Sequence, residues 1–369
     1  MKIGIYGNLF LGKRTGIGNY IYNLCKHLES FLPEAEFFIF SQRKPDEIPF
    51  GKNFSVIVEE NPFLRKLPFS LWLRLFSFRL INQYNLDFFW SGMPIMPLYL
   101  DQSIKKIITV YDLNLYLVPE TMKTLTKINH KLFFKKSILE SDVVVTISKG
   151  TAQRLKKFLG VETDVVVYPG VDDTLFYPRK REEVESFLKS KGINSKYILS
   201  VSTLEPRKNL ELLVESFLEL KEEGYLQDFK LVLVGNKGWK INKLYQKIKR
   251  FKEEIIYLGY IPDEELPLLY SGATVFVLPS MYEGFGIPVL EARACGCCVI
   301  TSNIPELKEA GGKGSIYINP QKNILKDTLF SFINKNIDCN KEKLRENLFF
   351  WKEEAKKLAK IFINYSSFK

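Results

Sequence analysis

Short apolar runs alternate with longer amphipathic stretches along most of the chain. The first half contains KIGIYGN, EFFIFSQ, FSVIVEE, LDFFWSG, KIITVYD, DVVVTIS and TDVVVYPG, and the second contains YILSVSTL, KLVLVGN, EIIYLGY, TVFVLPS and CCVITSN. Continuous apolar runs of this length are typical of parallel strands that are buried on both faces. Because strand and helix patterns alternate twice over, the sequence predicts two doubly wound α/β domains.

The boundary between these domains is predicted near VYPGVDDTLFYPRKREEVESF, where Pro169 and Pro178 interrupt the pattern ahead of a charged helix. We therefore predict domains over residues 1–179 and 180–369. The closing segment KLRENLFFWKEEAKKLAKIFINY has apolar residues at helical spacing and predicts a helix over about 343–367. Ligands of open parallel sheets bind beyond the carboxyl ends of the strands, so two facing sheets would form one cleft between the domains.

The composition is that of an ordinary globular protein, with 46% hydrophobic and 26% charged residues. The N-terminus lacks the segments of a signal peptide, and no run approaches the roughly 18 apolar residues of a membrane span. We therefore expect a cytoplasmic protein whose membrane contact, if any, is peripheral and on the inner face of the cytoplasmic membrane. The net charge of +11 suits nucleic acid, anionic lipid or a phosphorylated substrate, and charge alone does not choose among them.

Cysteine and histidine usage argues against two kinds of site. Five cysteines, an odd number, indicate a reducing compartment. The CGCC stretch at 295–298 invites a metal site, but Cys25 and Cys339 are distant in sequence, so we interpret it as small buried residues. The only histidines are His27 and His130, and neither lies in a loop-like motif, so a histidine-based catalytic triad is not expected.

The stretch PSMYEGFGIPVLEARACGC, residues 279–297, carries two acids around a glycine turn. TVFVLPS predicts a strand, and Pro288 suits the first position of the helix that follows. The amides at the start of that helix favour phosphate. Glu283 and Glu291 would repel a phosphate placed on them, but they would accept hydrogen bonds from hydroxyl groups on either side of it. A nucleoside diphosphate sugar has that layout. The alternative is one acid at a helix start and one on a solvated face.

The stretch STLEPRKNLELLVESF places two cations, Arg207 and Lys208, just ahead of a predicted helix. Two cations are electrostatically unfavourable there because the helix dipole is already positive at that end. They become favourable if a multiply charged anion docks between them, since arginine offers a planar fork and lysine a point charge. The alternative is a solvated loop pair.

Two weaker signals follow strands of the first domain. In TGIGNYIYNL, Gly16 and Gly18 allow a ligand to approach the backbone closely, although a plain turn would look the same and the spacing is not the dinucleotide fingerprint. In ITVYDLNLYLVPE, Asp112 follows a buried strand at the edge where an open sheet presents ligands. Asp112 would orient a sugar or an acceptor hydroxyl, or it forms a turn.

Taken in order, these motifs together with VVVTISKGTAQRL, VVVYPGVDDTLFYP, LVLVGNKGW and YLGYIPDEELPLLYSGATVFVLPSMYEGFGIPVLEARACGCCVITSN resemble a retaining glycosyltransferase of family 4. The resemblance covers nearly the whole chain. It implies a GT-B fold, in which two Rossmann-like domains face an interdomain cleft, the first binding the acceptor and the second the nucleotide sugar. The ending FFWKEEAKKLAKIF resembles the family's closing helix, which crosses back onto the first domain.

The resemblance also implies roles for single residues. Arg207 and Lys208 match the pair that holds the donor diphosphate, Glu283 matches the acid that faces the transferred sugar, and Glu291 matches the acid that faces the ribose. The remaining donor-binding positions are Gly16 and Gly18 beside the phosphates, Gly284, Phe285, Gly286 and Ile287 in the loop whose amides line the sugar and phosphates, and Gly235 and Tyr260 near the base.

Two departures from the family pattern stand out. Tyr111-Asp112 replaces a frequent His-Asp, so the tyrosine hydroxyl would have to take over any contact of the histidine with the sugar. Arg293 and Cys298 replace a methionine and a proline beyond the binding loop, where we expect them to affect packing rather than chemistry.

The expected reaction needs no metal cofactor, because no Asp-x-Asp signature follows a strand and the family resembled works without a divalent ion. Arg207, Lys208, Glu283 and Asp112 are the candidate catalytic residues. The cations and the helix amides would stabilise the charge on the leaving diphosphate during a front-face, retaining displacement. The resemblance is greatest to the mannosyltransferase branch, which implies GDP-mannose as donor. The alternative donors are UDP- or ADP-activated glucose or another hexose.

Residues 61–84, NPFLRKLPFSLWLRLFSFRLINQY, combine arginines, a lysine and aromatic residues without an acid. The segment either lies on an anionic membrane or packs on the first domain's sheet with snorkelling arginines, and we take packing as the default. Membrane contact would indicate a lipid-linked glycan as acceptor in cell-envelope polysaccharide synthesis, for example of lipopolysaccharide. A non-catalytic sugar-binding protein, a nucleic-acid binder and an epimerase or phosphorylase are the remaining alternatives. The sequence contains no export signal and no nucleic-acid motif to support the first two.

Overall fold

The computed structural model describes residues 1–12, 16–45, 48, 51–335 and 337–366. It divides the chain into two compact units. The first unit comprises Met1–Tyr116, Thr124–Gly170 and Phe349–Lys369, and the second comprises Leu117–Lys123 and Val171–Leu348. The second unit thus begins before the predicted boundary at 179/180 and takes up a short piece of the first half. The chain returns to the first unit at Phe349, near where the sequence predicts a closing helix.

All strand patterns named above form strands, and the described residues contain one more, which is three residues long and was missed. The strands are β1 (Lys2–Tyr6), β2 (Glu36–Ser41), β3 (Phe54–Val58), β4 (Phe88–Ser91), β5 (Lys105–Val110), β6 (Val143–Thr146), β7 (Val165–Val166), β8 (Lys196–Val201), β9 (Phe229–Val234), β10 (Ile255–Gly259), β11 (Val275–Leu278), β12 (Val299–Ser302) and the missed β13 (Ile316–Ile318). A run of three apolar positions is too short to indicate a strand by itself.

Helices connect most of the successive strands. They are α1 (Gly16–Phe31), α2 (Phe69–Leu75), α3 (Phe78–Ile81), α4 (Asn114–Leu117), α5 (Thr124–Asn129), α6 (Lys135–Leu139), α7 (Lys149–Leu159), α8 (Arg181–Ser190), α9 (Leu210–Glu222), α10 (Asn242–Arg250), α11 (Leu266–Gly272), α12 (Ile287–Ala294), α13 (Pro305–Gly311), α14 (Lys322–Ile333), α15 (Lys341–Leu344) and α16 (Trp351–Ser366). A π-helical turn, His130–Phe134, joins α5 to α6. No helix among the described residues is long and apolar enough to cross a membrane.

The first unit is built on a seven-stranded parallel sheet with the order β3-β2-β1-β4-β5-β6-β7. Strand β1 lies at the point where the order reverses, since Ile3 pairs with Phe37 of β2 on one side and Phe88 of β4 on the other. All three side chains are buried, as expected for a parallel sheet covered on both faces. The predicted doubly wound architecture is therefore confirmed for this unit.

The second unit contains a six-stranded parallel sheet with the order β10-β9-β8-β11-β12-β13. Here the order reverses between β8 and β11, which are paired directly through Ile198 and Val275. Its core joins these strands to α9, α10 and α14 through Leu213, Leu244 and Leu329. In open sheets of this kind the ligand site lies beyond the carboxyl ends of the strands at the reversal point, so β8 and β11 direct attention to the loops that follow them.

The closing helix packs within the first unit, but it is shorter than the sequence predicts. The predicted helix 343–367 is interrupted after α15, where Asn347 adopts a left-handed backbone with φ of 53°, and it resumes at Trp351. Trp351 contacts Tyr20 of α1 edge to face, with ring centroids 5.9 Å apart. The buried Glu354 accepts a hydrogen bond from the amide of Tyr168 at 2.8 Å. These contacts attach α16 to α1 and to the segment after β7.

The basic and aromatic segment 61–84 packs into the first unit through α2. Trp72 and Leu73 are fully buried, and the Trp72 indole donates to Glu59 at 3.0 Å. The expected snorkelling is wrong for Arg74, which is 1% exposed. Its guanidinium donates to the carbonyl of Met96 at 2.6 Å and to the Glu140 carboxylate at 2.7 Å, because a cation buried this deeply requires such partners.

Candidate functional site

Two loops meet at the carboxyl ends of the paired strands β8 and β11. Strand β8 leads through the short turn Pro206–Lys208 into α9, and β11 leads through a glycine loop into α12. The amide of Met281 donates to the carbonyl of Arg207 at 2.8 Å, which ties the two loops together. The parallel pairing of the strands therefore brings together side chains that are more than seventy positions apart in sequence.

The predicted cation pair and the first predicted acid form one buried cluster. The Glu283 carboxylate accepts from Arg207 Nη1 at 2.6 Å, from Lys208 Nζ at 2.6 Å and from the Ser280 hydroxyl at 2.7 Å. The side chains of Arg207 and Lys208 are only 16% and 12% exposed, so the alternative of a solvated loop pair is wrong. The sequence placed these residues in one site, and the structure shows that they bind each other directly.

Glu205 is a member of this cluster that the sequence analysis missed. Its carboxylate accepts from Arg207 Nη2 at 2.7 Å, and its side chain is 6% exposed. Two cations and two carboxylates therefore compensate each other before any ligand binds. The signal was present in the sequence, since Glu205 stands two positions before Arg207, but an acid beside a proline is easily interpreted as part of a turn.

Ionisation in the cluster follows from burial and from these charges. Burial by itself raises the pKa of Glu283, but the charges of Arg207 and Lys208 and the hydrogen bonds from Lys208 and Ser280 outweigh burial and lower this pKa to about 2. The pKa of Lys208 is lowered because burial outweighs the attraction of Glu283. Glu283 is therefore a carboxylate throughout the physiological pH range.

The glycine loop ends in the predicted helix start. Gly286 has a φ of 106°, and a Cβ there would lie 2.5 Å from Leu307 Cδ2, so the position requires glycine. Helix α12 begins at Ile287, one residue before the predicted start at Pro288. It ends at Ala294, and Gly296 follows with a left-handed backbone, as predicted. Gly284 and the buried Phe285 belong to the same loop. The first-turn amides of α12 leave its N-terminal end as a favourable position for an anion.

Glu291 lies one turn into α12, in a different environment from Glu283. It accepts a hydrogen bond from the Tyr270 hydroxyl at 2.8 Å. Burial raises the pKa of Glu291 to about 8, against the lowering effect of the Tyr270 hydrogen bond. The two acids of the motif thus differ in charge at neutral pH, which residue spacing does not reveal.

We expect the second unit to become less stable as the pH rises from about 5 to 8. Unfolded Glu291 has the ordinary pKa of 4.5, whereas the folded carboxyl keeps its proton up to about pH 8, so between these values the unfolded chain releases a proton that the folded chain holds. The contribution of Glu291 to the free energy of unfolding is therefore fully present below pH 4.5 and is lost by pH 8. The melting temperature should fall with rising pH over this range in the wild type, and it should change less with pH in Glu291→Gln. Identical slopes would contradict the assignment.

The predicted base-contact residues follow neighbouring strands of the same sheet. Gly235, after β9, has a φ of 131°, and a Cβ there would lie 2.0 Å from the backbone oxygen of Ser202. The carbonyl of Gly235 accepts from the Tyr257 hydroxyl at 2.9 Å. Tyr260 follows β10 and is 50% exposed. Both therefore lie at the carboxyl edge of the sheet that carries the cluster.

Replacing Gly235 by alanine is expected to destabilise the second unit by about 2 kcal/mol more than replacing Gly259. Both glycines have positive φ, but a Cβ at Gly259 meets nothing within 4 Å, whereas at Gly235 it meets backbone that cannot move aside. Urea unfolding of the two variants measures this difference. Gly235→Ala has both the steric overlap and the strain of a positive φ, whereas Gly259→Ala has the strain alone. Equal losses would show that the close approach to Ser202 is not important.

The first unit holds the other predicted site residues. Gly18 is buried within α1, and Gly16 begins this helix with no atom within 4 Å of an added Cβ. The carboxylate of Asp112 accepts from the amide of Asn114 at 3.1 Å, which is the turn-forming geometry of the alternative interpretation. The buried Tyr111 hydroxyl donates to the carbonyl of Gly92 at 2.9 Å. Contacts of these four residues with a ligand stay predictions.

His130, which the sequence analysis set aside, lies within electrostatic range of Asp112. Burial lowers the pKa of His130, and the negative charge of Asp112 opposes that shift. The ring of His130 stacks on Phe134 with centroids 5.4 Å apart, and Phe134 contacts Tyr116 just after Asp112. The π-helical turn that carries His130 has no reliable sequence signature, so sequence reasoning had no means of placing it here.

The cysteines and Arg293 have structural roles. Cys298 and Cys339 form a disulfide with Cα atoms 5.6 Å apart, which the inference of a reducing compartment from the cysteine count did not anticipate. The side chain of Asp338 lies close to both sulfur atoms, and these three side chains are near enough to one another to bind a metal ion.

Arg293 is fully buried and donates to the carbonyls of Leu344, Ala310 and Glu346 at 2.9, 2.5 and 2.7 Å. Its effect is on packing, as expected.

Comparisons with known proteins agree with the architecture and the motif order. The chain matches the family model described as glycosyl transferases group 1 over residues 182–348 and the one described as glycosyltransferase family 4 over residues 14–175. It is 30% identical over 330 residues to O-antigen chain mannosyltransferase B of Escherichia coli, with 83% of each chain covered. It is 27% identical over 303 residues to O-antigen chain mannosyltransferase RfbU of Salmonella typhimurium, covering 78% of this chain and 79% of the relative.

The fold is shared with solved structures at lower sequence identity. The HepE protein of Anabaena, in complex with UDP-glucose, superimposes with a TM-score of 0.72 at 15% identity, covering 99% of this chain and all of the other. Identity at this level shows the fold alone, which is the GT-B arrangement of two Rossmann-like domains. With the E. coli relative aligned over most of both chains, the predicted family is confirmed, and the protein belongs to the family 4 glycosyltransferases.

Proposed function

We propose that this glycosyltransferase moves mannose from GDP-mannose to a saccharide or lipid-linked glycan during cell-envelope polysaccharide synthesis, with retention of anomeric configuration. The observation that carries the proposal is the buried cluster of Arg207, Lys208, Glu205 and Glu283 at the carboxyl ends of β8 and β11. The choice of mannose is supported by the two O-antigen mannosyltransferases that align with most of the chain. We place the reaction at the cytoplasmic side of the membrane.

The cluster suits a sugar diphosphate for electrostatic reasons. Arg207 and Lys208 are fixed by ion pairs with Glu283, so they need little reorganisation to face a pyrophosphate. The start of α12 adds roughly half a positive charge close to the same loop. Glu283, a carboxylate at neutral pH, would exchange part of its hydrogen bonding for a hydroxyl of the transferred sugar.

The chemistry proposed is a front-face displacement. As the sugar–phosphate bond breaks, negative charge grows on the leaving diphosphate, and Arg207, Lys208 and the α12 amides stabilise it. The acceptor hydroxyl attacks the anomeric carbon from the same face, and its proton passes to the leaving phosphate oxygen. No separate general base is needed for that transfer, and we propose that no metal cofactor takes part.

The remaining residues are assigned to recognition. Glu291, protonated over much of the neutral range, would donate to as well as accept from the ribose hydroxyls. Gly235 and the exposed Tyr260 would line the base. Asp112 and Tyr111 are assigned to the sugar or the acceptor, and Gly16 and Gly18 to the phosphates.

The second candidate donor is UDP-activated glucose, with ADP-glucose or another activated hexose as further options. The observation in its favour is the fold shared with HepE, whose structure holds UDP-glucose. The contacts that distinguish the bases would be made largely by backbone near Gly235 and Tyr260, so side-chain identity does not favour either base. A sugar-binding protein without activity is the remaining alternative, and it offers no reason for the cation pair.

The proposal is tested with a thermal-shift screen of GDP-mannose, UDP-glucose and ADP-glucose, followed by turnover with the best stabiliser. GDP-mannose is expected to stabilise most, and NMR of the product should show the anomeric configuration of the donor. A larger shift with UDP-glucose would replace the donor assignment. Stabilisation without hydrolysis or transfer under any acceptor would favour a binding protein, and inversion would exclude the front-face mechanism.

A further inference from the structure

The side chain of Tyr270 is the one hydrogen-bond partner of the Glu291 carboxyl in the part of the chain that the structure describes. The Tyr270 hydroxyl donates to Oε2 of Glu291 at 2.8 Å. A carboxyl group offers two oxygens, so Oε1 keeps its hydrogen-bonding capacity for a ligand. Tyr270 belongs to α11, the helix that precedes β11, and the sequence did not predict it as a site residue.

The ring of Tyr270 is fixed by packing in the second unit. Its side chain is fully buried, and the ring lies edge to face against Phe276 of β11 with centroids 5.6 Å apart. The ring of Phe176 lies 6.4 Å away. The preceding residue of α11, Leu269, is anchored as well, because its carbonyl accepts from the buried Tyr197 hydroxyl at 2.6 Å. The Tyr270 hydroxyl is therefore held in place before a ligand binds.

Ionisation makes Tyr270 a permanent donor to Glu291. Burial, reinforced by the charge of Glu291, raises the pKa of Tyr270 well above its usual value, so the hydroxyl keeps its proton at physiological pH. Burial also raises the pKa of Glu291 to about 8, so this acid is mostly protonated at neutral pH. Because the carbonyl oxygen of a carboxylic acid is the better acceptor, donation to Oε2 favours the acid proton on Oε1.

The hydrogen bond from Tyr270 restricts the orientation of the Glu291 carboxyl. The last torsion of a glutamate side chain has a broad energy minimum, so the helix position of Glu291 does not by itself fix the carboxyl plane. A group that is already oriented loses less freedom when a ligand binds, and more of its hydrogen-bond energy then contributes to affinity. Tyr270 therefore prepares Oε1 of Glu291 for a ligand.

We propose that Tyr270 is a positioning residue for the sugar nucleotide, and that its hydroxyl holds Glu291 in the orientation in which Oε1 binds a hydroxyl group of the ribose. This inference rests on the proposed function, which assigns Glu291 to the ribose, and it names the group that orients this acid. Tyr270 acts through Glu291 and does not itself contact the nucleotide. GDP and UDP share the ribose, so the inference is independent of the base.

The test is calorimetric titration of the full chain with GDP, 2′-deoxy-GDP and 3′-deoxy-GDP. In the wild type, we expect removal of one of the two ribose hydroxyls to weaken binding about fivefold, the effect of one lost hydrogen bond. Tyr270→Phe should bind GDP about fivefold more weakly, and removal of the same hydroxyl should then have little further effect. If UDP binds more tightly than GDP, the corresponding UDP series gives the same comparison.

Tyr197→Phe is the matched control, because it removes another buried tyrosine hydroxyl that donates to α11. It should keep the preference of the wild type for the ribose hydroxyl. Both substitutions retain the aromatic ring, and melting temperatures check that both variants fold. Kinetics with the donor adds a second measurement. Tyr270→Phe should raise KM about fivefold and change kcat less than about twofold, because the ribose contact is the same in the ground state and the transition state.

Equal discrimination between ribose and deoxyribose in the wild type and Tyr270→Phe would overturn the inference. An equal loss of discrimination in Tyr197→Phe, or a fall in kcat without a rise in KM, would also contradict it. A wild type that binds nucleoside diphosphates without preference for either ribose hydroxyl would remove this inference and leave the transferase function standing. If neither GDP nor UDP bound the wild type, the proposed function would fail and this inference with it.

Discussion

Replacing Lys208 by alanine is expected to lower turnover by about 100- to 1000-fold, the effect typical of removing one preorganised charge that stabilises a leaving group. Lys208 is buried beside Glu283 at 2.6 Å, so its charge acts where water does not screen it. The measurement is the turnover number with saturating donor, together with the thermal shift that the donor produces. Both should fall, because the same ammonium group is proposed to hold the diphosphate in the bound state.

The matched control is Lys189→Ala, which removes an exposed lysine from α8 of the same unit. This variant loses the same single positive charge as Lys208→Ala, and it should keep wild-type turnover. Circular dichroism and melting curves show whether Lys208→Ala is folded, and Lys208→Met tests the loss of charge with the side-chain volume retained. Normal turnover in a folded Lys208 variant would remove the proposed role of the cation pair.

Replacing Glu283 by glutamine is expected to destabilise the second unit by about 3 kcal/mol, whereas the same change at Glu291 should alter stability by less than about 1 kcal/mol at pH 6. Glu283 is ionised, with a pKa lowered to about 2, and it pairs with two buried cations. Its neutralisation removes a carboxylate that pairs with Arg207, which keeps its pair with Glu205, and, among the described residues, the one carboxylate that pairs with Lys208. Glu291 is protonated at that pH, so glutamine reproduces its charge.

Calorimetric unfolding of the two variants measures this difference directly. For a unit of this size, 3 kcal/mol corresponds to a fall in Tm of about 6–12 °C, which exceeds the change expected for the Glu291 variant. Donor binding should weaken in both variants, because both acids are proposed to contact hydroxyl groups. Equal changes in Tm would show that the two carboxyls do not differ in ionisation as the structure indicates.

For Arg207 and Lys208, the sequence predicted a shared site but not the charge balance of that site. Two cations at a helix start are unfavourable without a compensating anion, and the sequence analysis assigned that anion to a ligand. The structure provides two protein acids, Glu205 from the same loop and Glu283 from the neighbouring strand. The inference that these residues form one site was sound. Their charge balance in the free protein depends on an approach that only the pairing of β8 with β11 creates.

Glu283 and Glu291 belong to one motif, yet their ionisation differs in a way that the sequence did not reveal. Their spacing around the glycine loop indicated a shared ligand, but it did not predict which of the two carboxyl groups is ionised. Burial raises the pKa of both carboxyls, and this effect prevails at Glu291, whereas at Glu283 the two neighbouring cations outweigh it. Likewise, Cys298 and Cys339, forty-one positions apart, form a disulfide that cysteine counting did not anticipate.

What the sequence determined by itself was the pattern of strands and helices, the two doubly wound sheets and the family, because buried parallel strands and binding loops leave local signatures. The tertiary structure alone decided which side chains meet across the carboxyl edge of a sheet, which acids are charged, and which apolar side chains remain exposed. These properties depend on the distances between residues far apart along the chain and on the exclusion of water between them. A local sequence pattern predicts neither the distances nor the burial.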